Sequence, residues 1–67
     1  MKKIRVVLIE DHDLTRIGLR TSLQQCADIE LLAEAANGAD GLRLLEEIHP
    51  DLAIVDIGLP ELDGIEM

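Results

Sequence analysis

Carboxylate side chains follow two apolar segments of the chain, at the point where each segment ends. Residues 5–9 lead into Glu10 and Asp11, and residues 52–55 lead into Asp56. If both segments are buried parallel strands, their carboxyl ends meet at one edge of the sheet, where open α/β sheets place their binding sites. Carboxylates held close together repel one another unless a cation or a proton balances their charge.

The chemistry of such a cluster is that of a divalent-cation site. Carboxylate oxygens, together with retained waters, are ligands that suit Mg²⁺. A carboxylate beside Mg²⁺ can attack phosphorus, because the metal offsets charge on the phosphoryl oxygens. The residues therefore indicate an aspartate that accepts a phosphoryl group. A structural interpretation stays open: Asp11 or Asp13 can cap a helix, Glu10 can be a solvated acid, and Asp56 can be a turn residue.

Three strands are predicted to position these acids. Residues 4–9 are rich in β-branched side chains without polar alternation, and the third strand, residues 51–55, contains the apolar run 52–55. Such runs are typical of parallel strands covered on both faces. Residues 29–35 form a further strand, in which Glu30 and Glu34 favour an edge position.

Two helices are predicted between the strands. The first begins after Asp13 as its cap and ends near Gln25 or Cys26, with Arg16 and Arg20 on its exposed face. Its buried face would hold Leu14, Ile17, Gly18 and Thr21, with Gly18 allowing a close approach to the sheet. The second helix spans residues 39–48, follows Asn37 as its N-cap, and ends at His49-Pro50. The order β-α-β-α-β implies parallel strands with right-handed crossovers.

Composition and charge exclude several classes of protein. The chain has 67 residues and no aromatic residue, so its single core must consist of aliphatic side chains. A net charge of −8 argues against direct binding of nucleic acid, because phosphate backbones require clustered Lys and Arg. No apolar segment approaches the roughly 20 residues that span a bilayer. The segment after Met1 lacks the features of a signal peptide, which makes the cytoplasm the expected location.

Two motifs resemble the receiver domain of bacterial two-component response regulators. The first is VVLIEDH at residues 6–12, and the second is DLAIVDIGLPELDG at residues 51–64. Residues 28–38 resemble the subfamily whose receivers precede a LuxR-type helix-turn-helix. The resemblance covers essentially the whole chain and implies a flavodoxin-like fold with strand order 2-1-3 in this part.

The resemblance implies a role for each acid. Asp56 would be the phosphoacceptor and a Mg²⁺ ligand, Asp11 would bind Mg²⁺ directly, and Glu10 would bind it through a water molecule. The backbone carbonyl of Gly58 would be a further ligand. His12 is better explained as a polar residue of the strand-to-helix turn than as a catalytic one. A sensor histidine kinase would be the partner, and the chain would not itself be an enzyme.

The sequence departs from the receiver pattern in its extent. A receiver has five βα units, and residues 1–67 supply two units, a third strand and its loop. The family's hydroxyl residue after strand four and its lysine after strand five have no counterpart here. We therefore expect a half-receiver domain whose phosphorylation is impaired.

Strand three would be an exposed edge in such a half domain. Residues Leu52 to Val55 would then pair with a second copy, giving a homodimer with a continuous sheet around a two-fold axis. An alternative function is accordingly a self-associating half domain with a vestigial acidic site. A Mg²⁺-dependent phosphohydrolase is a weaker alternative, because the sequence offers no second catalytic acid.

Overall fold

A computed structural model of the chain describes residues 2–56, in which three strands alternate with two helices. The elements are β1 (Ile4–Glu10), α1 (Asp13–Gln24), β2 (Ile29–Ala35), α2 (Gly38–Ile48) and β3 (Leu52–Asp56). The predicted order β-α-β-α-β is confirmed.

The three strands form one parallel sheet in the order β2-β1-β3, with β1 at its centre. Val6, Val7 and Leu8 of β1 are completely buried, as expected for a strand covered on both faces. Within residues 2–56, β2 lies at an edge of the sheet, which is the position predicted from its glutamates. The acidic end of β1 therefore lies in the middle of the sheet, between its two neighbours.

An irregularity in the pairing of β1 with β2 decides which side chains of β2 meet α1. Consecutive residues of β1 pair with Leu31 and Ala33, so that Leu32 is an extra residue in β2. Because side chains alternate between faces, the extra residue moves Glu34 from the face of the sheet beneath α2 to the face beneath α1. The sequence pattern did not predict this bulge.

The second helix packs on the face of the sheet opposite α1. Its core there consists of Val7, Ile9 and Ala35, with Leu44, Leu45 and Ile48 packed against them. Gly41 lies so close to Ile9 that a Cβ atom at residue 41 would be 2.5 Å from Ile9 Cδ1. Gly41 is therefore the glycine that permits a close approach. The corresponding prediction for Gly18 was wrong, because a Cβ atom there would have no neighbour within 4 Å.

The first helix turns a different side toward the sheet from the one predicted. Leu14 is 85% exposed and Ile17 is 43% exposed, whereas the Arg16 side chain is only 19% exposed. Arg16 and Arg20 both reach Glu34, at Nε–Oε1 and Nη1–Oε2 distances of 3.5 and 3.1 Å. The aliphatic stems of arginines can lie along an apolar surface while their charged ends find partners. The prediction that Arg16 and Arg20 lie on an exposed face was therefore wrong.

The predicted N-cap is correct for α2 and wrong for α1. Asn37 caps α2, and its Oδ1 atom accepts a hydrogen bond of 2.8 Å from the backbone N–H of Asp40. Asp13 is not the cap of α1, because the helix already includes it. The N-cap is His12, whose side chain makes no capping hydrogen bond.

The end of α2 is held by the start of β1. His49 has a left-handed backbone conformation with φ 55° and precedes Pro50, so the helix ends where it was predicted to end. The guanidinium of Arg5 donates hydrogen bonds to the carbonyl oxygens of Ile48 and His49. These contacts bind carbonyls that the helix itself leaves without partners.

Candidate functional site

The register of β1 and β3 brings the predicted acids to one edge of the sheet. Glu10 is the direct partner of Asp56 in the parallel pairing, and Asp11 follows Glu10 in the chain. This edge is the carboxyl end of both strands, where open α/β sheets bind ligands. The structure thus brings together three of the four residues that the sequence assigned to a metal and phosphoryl site.

The fourth residue is Gly58, which lies outside the described residues. The loop residues Pro60 and Gly64 lie outside them as well. The assignment of a backbone carbonyl ligand to Gly58 therefore stays a prediction.

Glu10 is the buried member of the cluster, with 1% of its side chain exposed. Its Oε2 atom accepts a hydrogen bond of 2.9 Å from the backbone N–H of His12. Its Oε1 atom is buried and has no hydrogen-bond donor within the part of the chain that the structure describes. An acceptor left in this condition is energetically unfavourable, so the geometry favours a cation or a proton beside it.

His12 contacts both acids of the β1 end. Its Nδ1 atom lies 3.2 Å from Glu10 Oε2 and 3.1 Å from Asp11 Oδ1. These three side chains offer potential metal-ligand atoms that all lie within 4.8 Å of one another. The sequence assigned His12 only to the turn, and its place directly after two acids was the available signal that it could reach them.

Asp56 is exposed, and the neighbouring acids raise the pKa of its carboxyl group. The charge of Glu10 is the largest cause, followed by the direct interaction between the two carboxyl side chains, which favours a proton on Asp56. Some burial and the charge of Asp11 raise this pKa further, while His12 acts in the opposite direction. The raised pKa expresses the mutual repulsion that the sequence predicted for this cluster.

These observations test whether Mg²⁺ fits the residues. The donors are mainly carboxylate oxygens, which Mg²⁺ prefers, and one of them is buried without a donor. A cation would also remove the repulsion that raises the pKa of Asp56. The residues therefore fit Mg²⁺, with Glu10, Asp11 and Asp56 as the groups that would hold it.

Fold and acidic edge together define a partial flavodoxin-like α/β domain with a carboxylate site at the carboxyl ends of β1 and β3. Residues 6–67 match the response regulator receiver domain, and the chain belongs to this family. The resemblance stated from the motifs is thereby confirmed.

Curated relatives point to the same family. The transcriptional regulatory protein LiaR of Bacillus subtilis is 44% identical over 63 residues, which cover 94% of this chain. The nitrate/nitrite response regulator protein NarL of Escherichia coli is 36% identical over 61 residues, or 91% of this chain. The chain spans only 30% and 28% of the lengths of these two relatives.

As to membranes, neither helix within residues 2–56 has the length and apolar character needed to cross a bilayer.

Proposed function

We propose that Asp56 accepts a phosphoryl group in a Mg²⁺-dependent reaction. The single observation that carries this proposal is the pairing of Asp56 with Glu10, whose buried Oε1 atom lacks a donor among residues 2–56. A strand register that places these carboxylates side by side is unfavourable for stability unless a cation or a proton joins them. Membership of the receiver family supports the choice of chemistry.

Each residue has a defined task in this reaction. The ionised carboxylate of Asp56 attacks phosphorus, a new oxygen–phosphorus bond forms, and the bond to the donor's leaving group breaks with its electron pair. Asp56 is exposed and can meet a donor from solvent, whereas its strand partner Glu10 is buried. Bound Mg²⁺ would supply charge neutralisation for the carboxylates and the phosphoryl oxygens.

The proposal assigns the chain to signalling rather than to turnover of a substrate. A kinase would donate the phosphoryl group, and the chain would carry it on Asp56. A cytoplasmic location and the absence of direct contact with nucleic acid remain expectations of this proposal, the latter because the net charge is −8.

The experiment is phosphorylation of the chain by a small donor such as acetyl phosphate. With Mg²⁺ we expect the mass increment of one phosphoryl group, and slow labelling, because no residue of this chain is assigned to the family's lysine and hydroxyl roles. Asp56→Asn should abolish the increment. Asp28→Asn, which changes an exposed aspartate in the turn before β2, should retain it.

Two results would contradict the proposal. One is the absence of any increment on the unaltered chain after prolonged incubation with Mg²⁺. The other is an increment that survives in Asp56→Asn, which would place the acceptor elsewhere. Chelation of Mg²⁺ should stop labelling in the unaltered chain and in Asp28→Asn alike.

Self-association through β3 is a second candidate function. Within residues 2–56, β3 pairs only with β1, and Leu52 and Val55 are 49% and 56% exposed. An open strand edge with apolar side chains tends to pair with another strand. We propose that a second copy supplies this strand when the 67-residue chain is isolated, and that the two copies of β3 meet antiparallel around a two-fold axis.

The mass of the chain in solution tests this arrangement. Analytical ultracentrifugation should show a dimer whose population rises with concentration, and Val55→Lys should shift it to the monomer. Leu14→Lys is the matched control, because Leu14 is an equally apolar and more exposed residue on α1. A monomer at all concentrations would reject self-association, and dissociation by Leu14→Lys alone would place the interface on α1.

A further inference from the structure

Arg16 joins α1 to the acidic end of β1. Its Nη1 atom donates a hydrogen bond of 3.1 Å to the backbone carbonyl oxygen of Glu10. Its Nη2 atom lies 2.9 Å from Asp13 Oδ1, and its Nε atom lies 3.5 Å from Glu34 Oε1. The guanidinium thus links the end of β1, the first turn of α1 and the neighbouring strand β2.

The contact with the Glu10 carbonyl fixes the backbone where the site begins. This carbonyl belongs to the peptide unit between Glu10 and Asp11, so its orientation influences where both carboxylates point. The next residue, His12, has extended backbone angles and starts the helix without a side-chain cap. The hydrogen bond from Arg16 to the Glu10 carbonyl therefore restrains the turn between β1 and α1, where no side-chain cap does so.

The charge of Arg16 is balanced locally. Asp13 and Glu34 both lie within ion-pair distance of its guanidinium. Its positive charge therefore has little net effect on a cation bound at the acidic edge, and its contribution is chiefly geometric. Because 19% of its side chain is exposed, water competes only weakly for these hydrogen bonds.

We propose that Arg16 is a positioning residue for the Glu10 and Asp11 carboxylates, which it holds in the geometry that binds Mg²⁺. This inference rests on the proposed function of the acidic site and adds a residue to it. Residues that orient metal ligands without touching the metal commonly change metal affinity by tenfold or more when they are replaced.

Arg20 provides a matched control. It shares Glu34 with Arg16, at an Nη1–Oε2 distance of 3.1 Å, and it lies one helical turn further from the site. Arg20→Met removes the same charge and an ion pair with the same Glu34, while it leaves the Glu10 carbonyl and Asp13 untouched. A difference between the two variants therefore reports the contacts of Arg16 with the end of β1 and the first turn of α1.

The test is a Mg²⁺ titration of the 67-residue chain and its variants, followed by calorimetry or by amide chemical shifts. We expect Arg16→Met to weaken Mg²⁺ binding about tenfold and Arg20→Met to change it less than about twofold. Arg16→Lys keeps the charge but has one ammonium group in place of the planar fork, and it should bind Mg²⁺ nearly as weakly as Arg16→Met.

A second readout separates positioning from stability. In the phosphorylation assay, Arg16→Met should need more Mg²⁺ for half-maximal labelling and should regain much of the maximal rate at saturating Mg²⁺. Thermal unfolding without Mg²⁺ should give a lower melting temperature for both variants, because both lose a contact with Glu34. The decrease should be larger for Arg16→Met, which also loses its contacts with the Glu10 carbonyl and Asp13.

Four outcomes are decisive. Equal Mg²⁺ affinity in Arg16→Met and Arg20→Met would overturn the positioning role. Tighter Mg²⁺ binding by Arg16→Met would also overturn it, because it would show that the Arg16 guanidinium acts only by repelling the cation. Wild-type affinity in Arg16→Lys would show that charge and not geometry matters. If the unaltered chain neither binds Mg²⁺ nor is phosphorylated, the proposed function itself fails, which is a distinguishable result.

Discussion

Glu10 lies opposite Asp56 across the parallel pair of β1 and β3, and its charge is the largest of the effects that raise the pKa of the Asp56 carboxyl group. Removing the charge of Glu10 should therefore remove the largest cause of the raised pKa of Asp56. We expect Glu10→Gln to lower the pKa of Asp56 toward its ordinary value of 3.8. The measurement is a titration of the Asp56 carboxyl ¹³C resonance in the absence of Mg²⁺, with the exposed Glu30→Gln as control.

The same shift links Asp56 to stability. Between its ordinary pKa and its raised pKa, the folded chain binds more protons at Asp56 than the unfolded chain does. The contribution of Asp56 to the free energy of unfolding therefore falls as the pH rises through this window, and the loss is complete above the raised pKa. Glu10→Gln should reduce this loss. An unchanged pKa of Asp56 in Glu10→Gln would contradict the arrangement of the two carboxylates.

Mg²⁺ should stabilise the chain against unfolding. A ligand that binds only the folded state at ten times its dissociation constant adds about 1.4 kcal/mol to the free energy of unfolding. Asp11→Asn should lose most of this gain, because Asp11 belongs to the cluster with Glu10 and His12. Thermal unfolding with and without the ion measures the effect, and Asp28→Asn should behave as the unaltered chain. A gain of equal size in Asp11→Asn would exclude that residue from the site.

Two glycines of the helices should respond in opposite directions to alanine. A Cβ atom at Gly41 would lie 2.5 Å from Ile9 Cδ1 and 2.8 Å from Ile9 Cγ1, and Ile9 is itself buried. Overpacking of about 1–3 kcal/mol exceeds the gain in helix propensity of about 1 kcal/mol. Gly41→Ala should therefore lower the free energy of unfolding by about 1 kcal/mol net.

Gly18 is the matched control for this comparison. A Cβ atom there would meet nothing within 4 Å, and the residue lies inside α1 without a positive φ. Gly18→Ala should raise the free energy of unfolding by about 0.5–1 kcal/mol. Denaturant unfolding of the two variants gives both values, and destabilisation by Gly18→Ala would mean that α1 approaches a neighbour at this position.

The sequence was sufficient for the order of the elements and for the convergence of three acids. Both depend on short-range patterns, namely continuous apolar runs that end in Glu10 or Asp56, and on the general rule for parallel crossovers. The family motif then predicted Mg²⁺-dependent phosphoryl transfer at these acids, which stays a prediction.

The apolar positions of α1 allowed two orientations, and the sequence-based prediction chose the wrong one. The pattern favoured Leu14 and Ile17 as buried, yet both are exposed. The partly buried residues of α1 are instead Arg16, Leu19, Arg20 and Leu23, and both arginines pair with Glu34. Glu34 reaches the face beneath α1 through the bulge at Leu32, which no periodicity reveals. The pairing of α1 with Glu34 of β2, which are distant in sequence, thus determined which face of the helix meets the sheet. For the same reason the contact between Arg16 and the Glu10 carbonyl was not predictable from the local pattern.

Arg5 should stabilise the chain through its contacts with the end of α2. Its Nη1 and Nη2 atoms donate hydrogen bonds of 3.0 and 3.2 Å to the carbonyl oxygens of His49 and Ile48. A cation at a helix C-terminus also interacts favourably with the helix dipole. Arg5→Met keeps the aliphatic stem and should lower the free energy of unfolding by about 1 kcal/mol.

Arg43→Met separates this effect from the loss of a positive charge in a chain of net charge −8. Arg43 lies on α2 with 66% of its side chain exposed and pairs only with Asp40 among the described residues. Such an exposed pair contributes less than about 0.5 kcal/mol. Because both variants change the net charge equally, equal destabilisation would mean that charge alone is responsible. A larger decrease in the free energy of unfolding for Arg5→Met would show that the hydrogen bonds of the Arg5 guanidinium hold the end of α2 to the start of β1.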